Sequence, residues 1–437
     1  MLLIYSKTLT SRLEYIIQTL MDGLGVEYRI TDDFIEFNSY NRARLNYSSE
    51  AFESNVLQVF PAELLFSKRI IDQQIQYFDW HGLKAFYQTS SSDISFDIFA
   101  ASFYLITRYE EYLPHQFDSY GRYAHENSLA FKEGFLHLPL VNLWLQQFKK
   151  VLQQRFPEMQ FKSTGFCFIP TYDIDIAWSY SNKGFVRNAV GVLKSISSGD
   201  WPGVKERTSV LQRKQKDPFD IYDCLDNLHQ RHYFKPVYFF LLADKQKGYD
   251  KNIHPSNKQL QRLIADHSSK YKIGIHPSWQ SGDDVSLLQK EIQQLKTITG
   301  KEVIRSRQHY IRMKTPETYR HLNSQGIEED YSMGYGSVNG FRASYCLPYK
   351  WYDLEAEAIT ALTIYPFCYM EANSYFEQHY TLQQATEELE SYYAITKQVD
   401  GLLITVMHNH LLGDKVLFNG WKEMYESFVR KHFAINV

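Results

Sequence analysis

The chain has 437 residues, 44% of them hydrophobic and 22% charged, with a net charge of −3. This length points to two domains or one large barrel with an extension, and the apolar content excludes an extended disordered chain. The near-balanced charge argues against a general electrostatic nucleic-acid binder. Aromatic residues reach 16%. Most read as core filling, with some Tyr and Trp suited to the flat faces of sugar rings.

In chain order, residues 2–5 read as a short strand. Ser11 and Glu14 have capping-box spacing before the apolar face Leu13, Ile16, Ile17 and Leu20, with Gly23 and Gly25 as stops. Residues 28–38 and 46–47 read as further strands. Asp97 caps an apolar helix over 98–113, in which Arg108, Glu110 and Glu111 are expected to form surface or interdomain ion pairs. Residues 140–156 form an amphipathic helix. The polar stretch 157–165 sets an expected division into an α+β domain (1–160) and a second domain (161–437).

Beyond residue 165 the pattern changes. Strands are expected at 166–175, 236–243, 271–276, 302–310, 326–331, 362–370 and 401–408, and helices at 257–266, 285–297, 315–324, 351–361 and 382–399. About seven strands alternating with helices fit a parallel (β/α) barrel or a doubly wound sheet. Cys167, Cys224, Cys346 and Cys368 form no CxxC pair and read as reduced packing residues. The N-terminus lacks a secretory pattern, and no apolar run is long enough to span a bilayer. A cytoplasmic location without an integral membrane segment is therefore expected.

The stretch FCFIPTYDID, residues 166–175, carries the most chemistry. Asp173 and Asp175 are two apart on a strand and so share a face. Two buried carboxylates side by side need a cation, a proton or donors to compensate them. In folds of this kind, active groups gather at the carboxyl edge of the strands. Besides the two acids, that edge receives His276, Arg307, His309, Asp330 and His408.

Asp175 and His276 are candidate ligands for a divalent metal such as zinc. Taken alone, Asp175 reads equally as a loop cap and His276 as a satisfied core histidine. Asp173 is the candidate general base, with Arg307 orienting it. His408 is the candidate acid, with Asp330 holding its ring. His309 is either a third ligand or a substrate hydrogen-bond partner. His408 and His410 could also be a ligand pair on a strand face, or plain loop residues. His115, His125, His229 and His321 read as solvated or capping. GxSxG, P-loop and dinucleotide GxGxxG signatures are absent from the sequence.

TYDID (171–175), GIHPSWQS (274–281), SRQHY (306–310), EEDYSMGY (328–335) and TVMHNH (405–410) resemble, in order, the five motifs of the polysaccharide deacetylase superfamily. These are carbohydrate esterases acting on N- or O-acetyl groups. The resemblance runs from about residue 165 to the C-terminus. It implies a distorted seven-stranded (β/α) barrel, a zinc-type ion and a carbohydrate substrate. It also implies a backbone amide at Tyr310 that helps hold an oxyanion. FDIFAASFYLITRYEEYL and FLHLPLVN resemble the extra domain that precedes a divergent subgroup.

Three positions depart from the pattern. Ile174 separates the paired acids, Gln280 replaces a metal-binding histidine, and His309 replaces a proline. Gln280 raises the alternative of a catalytically degenerate glycan-binding or scaffold protein in surface-polysaccharide assembly, because an amide is a poor ligand for a transition metal.

Overall fold

Two largely parallel sheets organise the chain. They are seen in a computed structural model that describes residues 1–50, 52, 55–91, 93–163 and 165–434. The first sheet contains β1 (Leu2–Tyr5), β2 (Tyr28–Thr31), β3 (Arg44–Asn46) and β4 (Leu57–Gln58), in the order β2-β1-β3-β4 and parallel throughout. The helix Ser11–Leu24 crosses from β1 to β2 and buries Leu13, Ile16, Ile17 and Leu20. Its cap is Thr10, one residue before the expected Ser11, whose hydroxyl instead meets that of Tyr352 at 2.8 Å. Gly25, at φ 64°, ends the helix in the left-handed region that glycine adopts without strain.

Residues 28–38 are not one strand. Asp33 accepts from the amides of Ile35 and Glu36, so a helix, Phe34–Ser39, begins there. β5 (Phe78–Trp80) and β6 (Leu83–Ala85) form an antiparallel hairpin. The Lys84 carbonyl accepts from Trp144 of the helix Leu140–Arg155. The helix capped by Asp97 is fully buried but stops at Ile106 rather than 113. Arg108 turns to φ 56°, and Tyr109–Tyr112 form a 3-10 turn.

The second sheet contains β7 (Cys167–Ile174), β8 (Val237–Leu241), β9 (Lys272–His276), β10 (Arg305–Ser306), β11 (Glu329–Asp330), β12 (Tyr349–Asp353), β13 (Ala358–Ile364), β14 (Tyr369–Met370) and β15 (Leu402–His408). Its order is β12-β13-β11-β10-β9-β8-β7-β15-β14. All pairings are parallel except β12 with β13.

The expected seven-stranded barrel is not closed by hydrogen bonds among the described residues. β12 and β14 are the two edges. β10, β11 and β14 are two residues long, and Pro366, which has no N–H to donate, lies in the link between β13 and β14. The sheet nevertheless curls on itself, because Phe239 of β8, Tyr331 beside β11, Phe367 before β14 and Ile404 of β15 meet in one apolar cluster.

Residues 351–361 are not a helix. They complete β12, turn, and begin β13, with the Asp353 carboxylate accepting from the turn amides of Glu355 and Ala356. Residues 176–235, which carry no strand signal, hold the helices Phe185–Ser197, Trp201–Leu211 and Tyr222–His232.

A continuous core joins both sheets. Tyr15 packs on Tyr352 with ring centroids 4.9 Å apart, and its hydroxyl donates to the Lys350 carbonyl. Among the described residues no helix is long and apolar enough to cross a membrane.

Candidate metal centre

Parallel pairing sets the site. β15 lies beside β7 in a register that puts His408 opposite Asp173, and β8 and β9 follow with Leu241 opposite His276. Because these strands run the same way, their carboxyl ends share one edge. Asp175 lies one residue beyond β7, Arg307 one beyond β10, and Glu371 one beyond β14. The turn His309–Ile311 follows Arg307 and carries Tyr310 at φ 58°.

Asp175, His276 and His309 each offer a ligand atom, and these atoms lie within 4.8 Å of one another. His276 Nε2 is 3.2 Å from Asp175 Oδ1, and His309 Nε2 is 3.8 Å from Asp175 Oδ2. The protonation of the two imidazoles follows from their other ring nitrogens. His276 Nδ1 is 2.6 Å from the Arg307 carbonyl, and His309 Nδ1 is 3.0 Å from the Asp250 carboxylate. Both partners only accept, so each Nδ1 carries a proton and Nε2 is the ring nitrogen left facing Asp175.

Asp175 Oδ1 is buried without a hydrogen-bond partner. Two imidazole nitrogens and one carboxylate oxygen this close together form a transition-metal donor set once each Nε2 is unprotonated. The pKa shifts follow the same attraction for positive charge. Burial opposes the ionised form of Asp175, yet the three surrounding histidines hold its carboxyl well below the usual range. Burial likewise opposes charge on His276, but Asp173 and Asp175 raise it.

Asp173 is buried beside this set. Arg307 Nη1 donates to its Oδ1 at 2.9 Å and to Thr171 Oγ1 at 2.7 Å, and Arg307 Nε donates to the Tyr331 carbonyl. The guanidinium stacks 4.6 Å from the Phe239 ring centroid, inside the curl of the sheet.

His408 Nε2 points to Asp175 Oδ2 at 3.8 Å. Asp330 does not hold its ring. The Asp330 carboxylate lies elsewhere, accepting from the Ser306 hydroxyl and from the Ser332 amide and hydroxyl. Glu371, fully buried, takes that place, with its oxygens 3.1 and 3.2 Å from His408 Nδ1. Burial disfavours the charged ring, but Glu371 outweighs it and lifts His408 to about 10. His410 is half-buried against Phe219 and pushed down to about 3, chiefly by desolvation. His229 is not solvated; it is buried against the Tyr172 hydroxyl.

Two acids in this array are missing from the sequence-based candidates. Asp250 sits in an irregular loop with no strand to mark it. It accepts from the Trp279 amide and from Gln280, so Gln280 braces the residue that orients His309. Glu371 does carry a signal, since it follows a short aromatic strand just as Asp175 follows β7.

A cavity of about 490 Å³ opens over these groups. Tyr120 and Arg122, from the N-terminal region, line it together with Tyr249 and Tyr310. Arg122 donates to the Tyr310 carbonyl at 2.8 Å, and the Tyr120 ring stacks on that of Tyr310 at 5.5 Å. A second cleft of about 600 Å³, beside Arg42, Arg44 and Met159, contains no histidine.

A family of unknown function, DUF7033, matches residues 2–157. Comparison with curated proteins finds no match. Among solved structures, the chain is similar to a Mycobacterium smegmatis protein assigned as a polysaccharide deacetylase, with 12% identity, 63% of this chain and 86% of that one covered, and a TM-score of 0.40. It is also similar to a polysaccharide deacetylase from Bacillus cereus, with 9% identity, 61% and 89% coverage, and a TM-score of 0.31. A third is a mutant of a CE4-family pseudoenzyme with restored enzymatic activity, at 10% identity, 67% and 78% coverage, and a TM-score of 0.31.

Proposed function

We propose that the chain is a metal-dependent deacetylase that hydrolyses N- or O-acetyl groups of a glycan or glycan precursor. The observation that carries this reading is the set of three potential ligand atoms, from Asp175, His276 and His309, within 4.8 Å of one another in the lining of one cavity. Zinc suits two imidazoles and a carboxylate, and would acidify water and polarise the acetyl carbonyl.

The remaining roles belong to the chain's own side chains. Asp173, held by Arg307, removes the proton from the attacking water. The Tyr310 amide would donate to the oxyanion, and its turn is braced by Arg122. His408, kept protonated by Glu371, gives its proton to the departing amine or alcohol as the acetyl bond breaks. Residues 161–437 carry this chemistry, and residues 1–160 complete the wall of the cavity. The donor lost at Gln280 is replaced by His309 from a different loop, which favours the catalytic reading over a binding-only module.

The test combines elemental analysis with acetate release from acetylated oligosaccharides. Bound metal that disappears in Asp175→Ala and His309→Ala, with acetate released only by metal-loaded wild type, is the expected result. Metal content unchanged in both variants refutes the ligand set.

A further inference from the structure

The helix Phe185–Ser197 is mounted with its apolar side outward. Asn188 is its buried residue, donating to the Tyr180 carbonyl, and Gly191 fits so closely against Arg207 that a Cβ there would overlap the guanidinium. Phe185 is 88% exposed, Val186 75% and Leu193 66%, with Val190 and Ile196 also exposed. At 100° per residue these five occupy one contiguous arc of the helix. Trp201, 64% exposed, follows at the start of the next helix. A surface helix normally buries such an arc, and a patch of this size on a chain of this kind marks a contact surface.

Charge says what it contacts. Arg187, Lys194 and Lys205 are exposed around this arc against the exposed Asp200, in a chain whose net charge is −3, whereas Lys183 is partly buried and Arg207 packs against Gly191 on the opposite side of the helix. An apolar arc with basic flanks and a tryptophan at its end suits the headgroup region of an anionic bilayer.

The helix also adjoins the mouth of the cavity. Arg187 donates to the carbonyls of Lys251 and Asn252, and Lys251 lines the cavity. A second apolar patch continues the rim, where Val416 is 90% exposed and Leu417 and Phe376 are also exposed. Phe376 is itself part of the cavity lining. Lys415 lies 4.9 Å from the ring centroid of Tyr180, which links the two patches.

We propose that this face docks on an anionic phospholipid surface, bringing the cavity mouth to the headgroups. The proposal rests on the exposed surface alone and stands or falls separately from the deacetylase reading.

The experiment is flotation of the full chain with vesicles of phosphatidylcholine alone, or mixed equally with phosphatidylglycerol. Binding to the anionic vesicles, weakened by high salt, is expected. The triple variant Phe185→Ser, Val190→Ser, Leu193→Ser should lower partitioning roughly tenfold or more. The pair Lys194→Glu, Lys205→Glu should lower it while leaving the apolar arc intact. Circular dichroism, thermal unfolding and metal content should match wild type in both, because all five positions are exposed. Trp201 emission should shift to the blue with vesicles, and Trp201→Phe should abolish that shift. Absence of binding to anionic vesicles, or unchanged binding of the triple variant, overturns the proposal. So does a concentration-dependent dimer that the triple variant dissolves, which would give the face to a second copy.

Discussion

Two clusters of buried charged groups in this molecule differ in how fully their members are satisfied. Behind the sheet, Arg108 binds Glu110 and Glu111 at 2.6 and 2.8 Å, and Arg342 binds Glu111 through two nitrogens at 2.8 Å each. Burial works against the Glu111 charge, but Arg342 and Arg108 push its carboxyl down to about 2. At the sheet edge, three imidazoles surround Asp175, and its Oδ1 makes no well-aligned hydrogen bond although His276 Nε2 lies 3.2 Å away. The first cluster is complete without any visitor and reads as architecture, joining residues 108–111 to the segment after β11. The second keeps an unbonded carboxylate oxygen beside two imidazole nitrogens and lines an open cavity. Unmet coordinating capacity, rather than charge density, separates a site from a strut.

The comparison can be broken from either side. The largest effect is expected from Asp173→Asn, which should cut turnover roughly a hundred- to ten-thousand-fold while metal content stays at the wild-type level. Acetate release at unchanged rate would remove Asp173 as the base. Arg342→Ala should destabilise the fold by about 3–5 kcal/mol, seen as a lower urea midpoint, because Glu111 loses its bidentate partner. Metal bound per folded molecule should not change. Asp250→Ala should weaken metal affinity by about ten- to a hundred-fold, since His309 loses the acceptor that fixes its tautomer.

The smallest effect sharpens the reading of His408. Its folded pKa of about 10 lies above the ordinary value of 6.5, so the stabilisation it brings is full below about pH 6.5 and fades as the pH rises to about 10. Metal-free Glu371→Gln should flatten that decline in unfolding midpoint. In turnover, the same variant should move the alkaline limb to lower pH. An unshifted limb would mean that His408 is not the proton donor.

Much of the site was legible because parallel strands put chemistry at one end. Asp173, Asp175, His276, Arg307 and His408 each close or follow an apolar run, and the structure brings them to one edge. Asp330 ends a run as well, but the alternation of side chains turns it toward Ser306 and Ser332 instead. Asp250 was hidden because its position is set by Trp279 and Gln280, which are distant in sequence. Residues 351–361 carry Leu, Glu and Ala at helical spacing, but pairing of Tyr349 with Ile364 and Tyr352 with Ile359 overrides that propensity. Closure into a barrel depends on edge pairing between segments too short to show any periodicity. Between β7 and β8 the helix Phe185–Ser197 does carry an apolar stripe, but it faces outward, a distinction that periodicity alone does not make.

The brace from Arg122 to the Tyr310 carbonyl ties together segments 188 residues apart. Cutting the chain near residue 160 would do more than discard a neighbour. It would strip a tyrosine and an arginine from the mouth of the cleft and leave the left-handed turn at Tyr310 without its tether, so the two halves have to be made, and changed, as one machine.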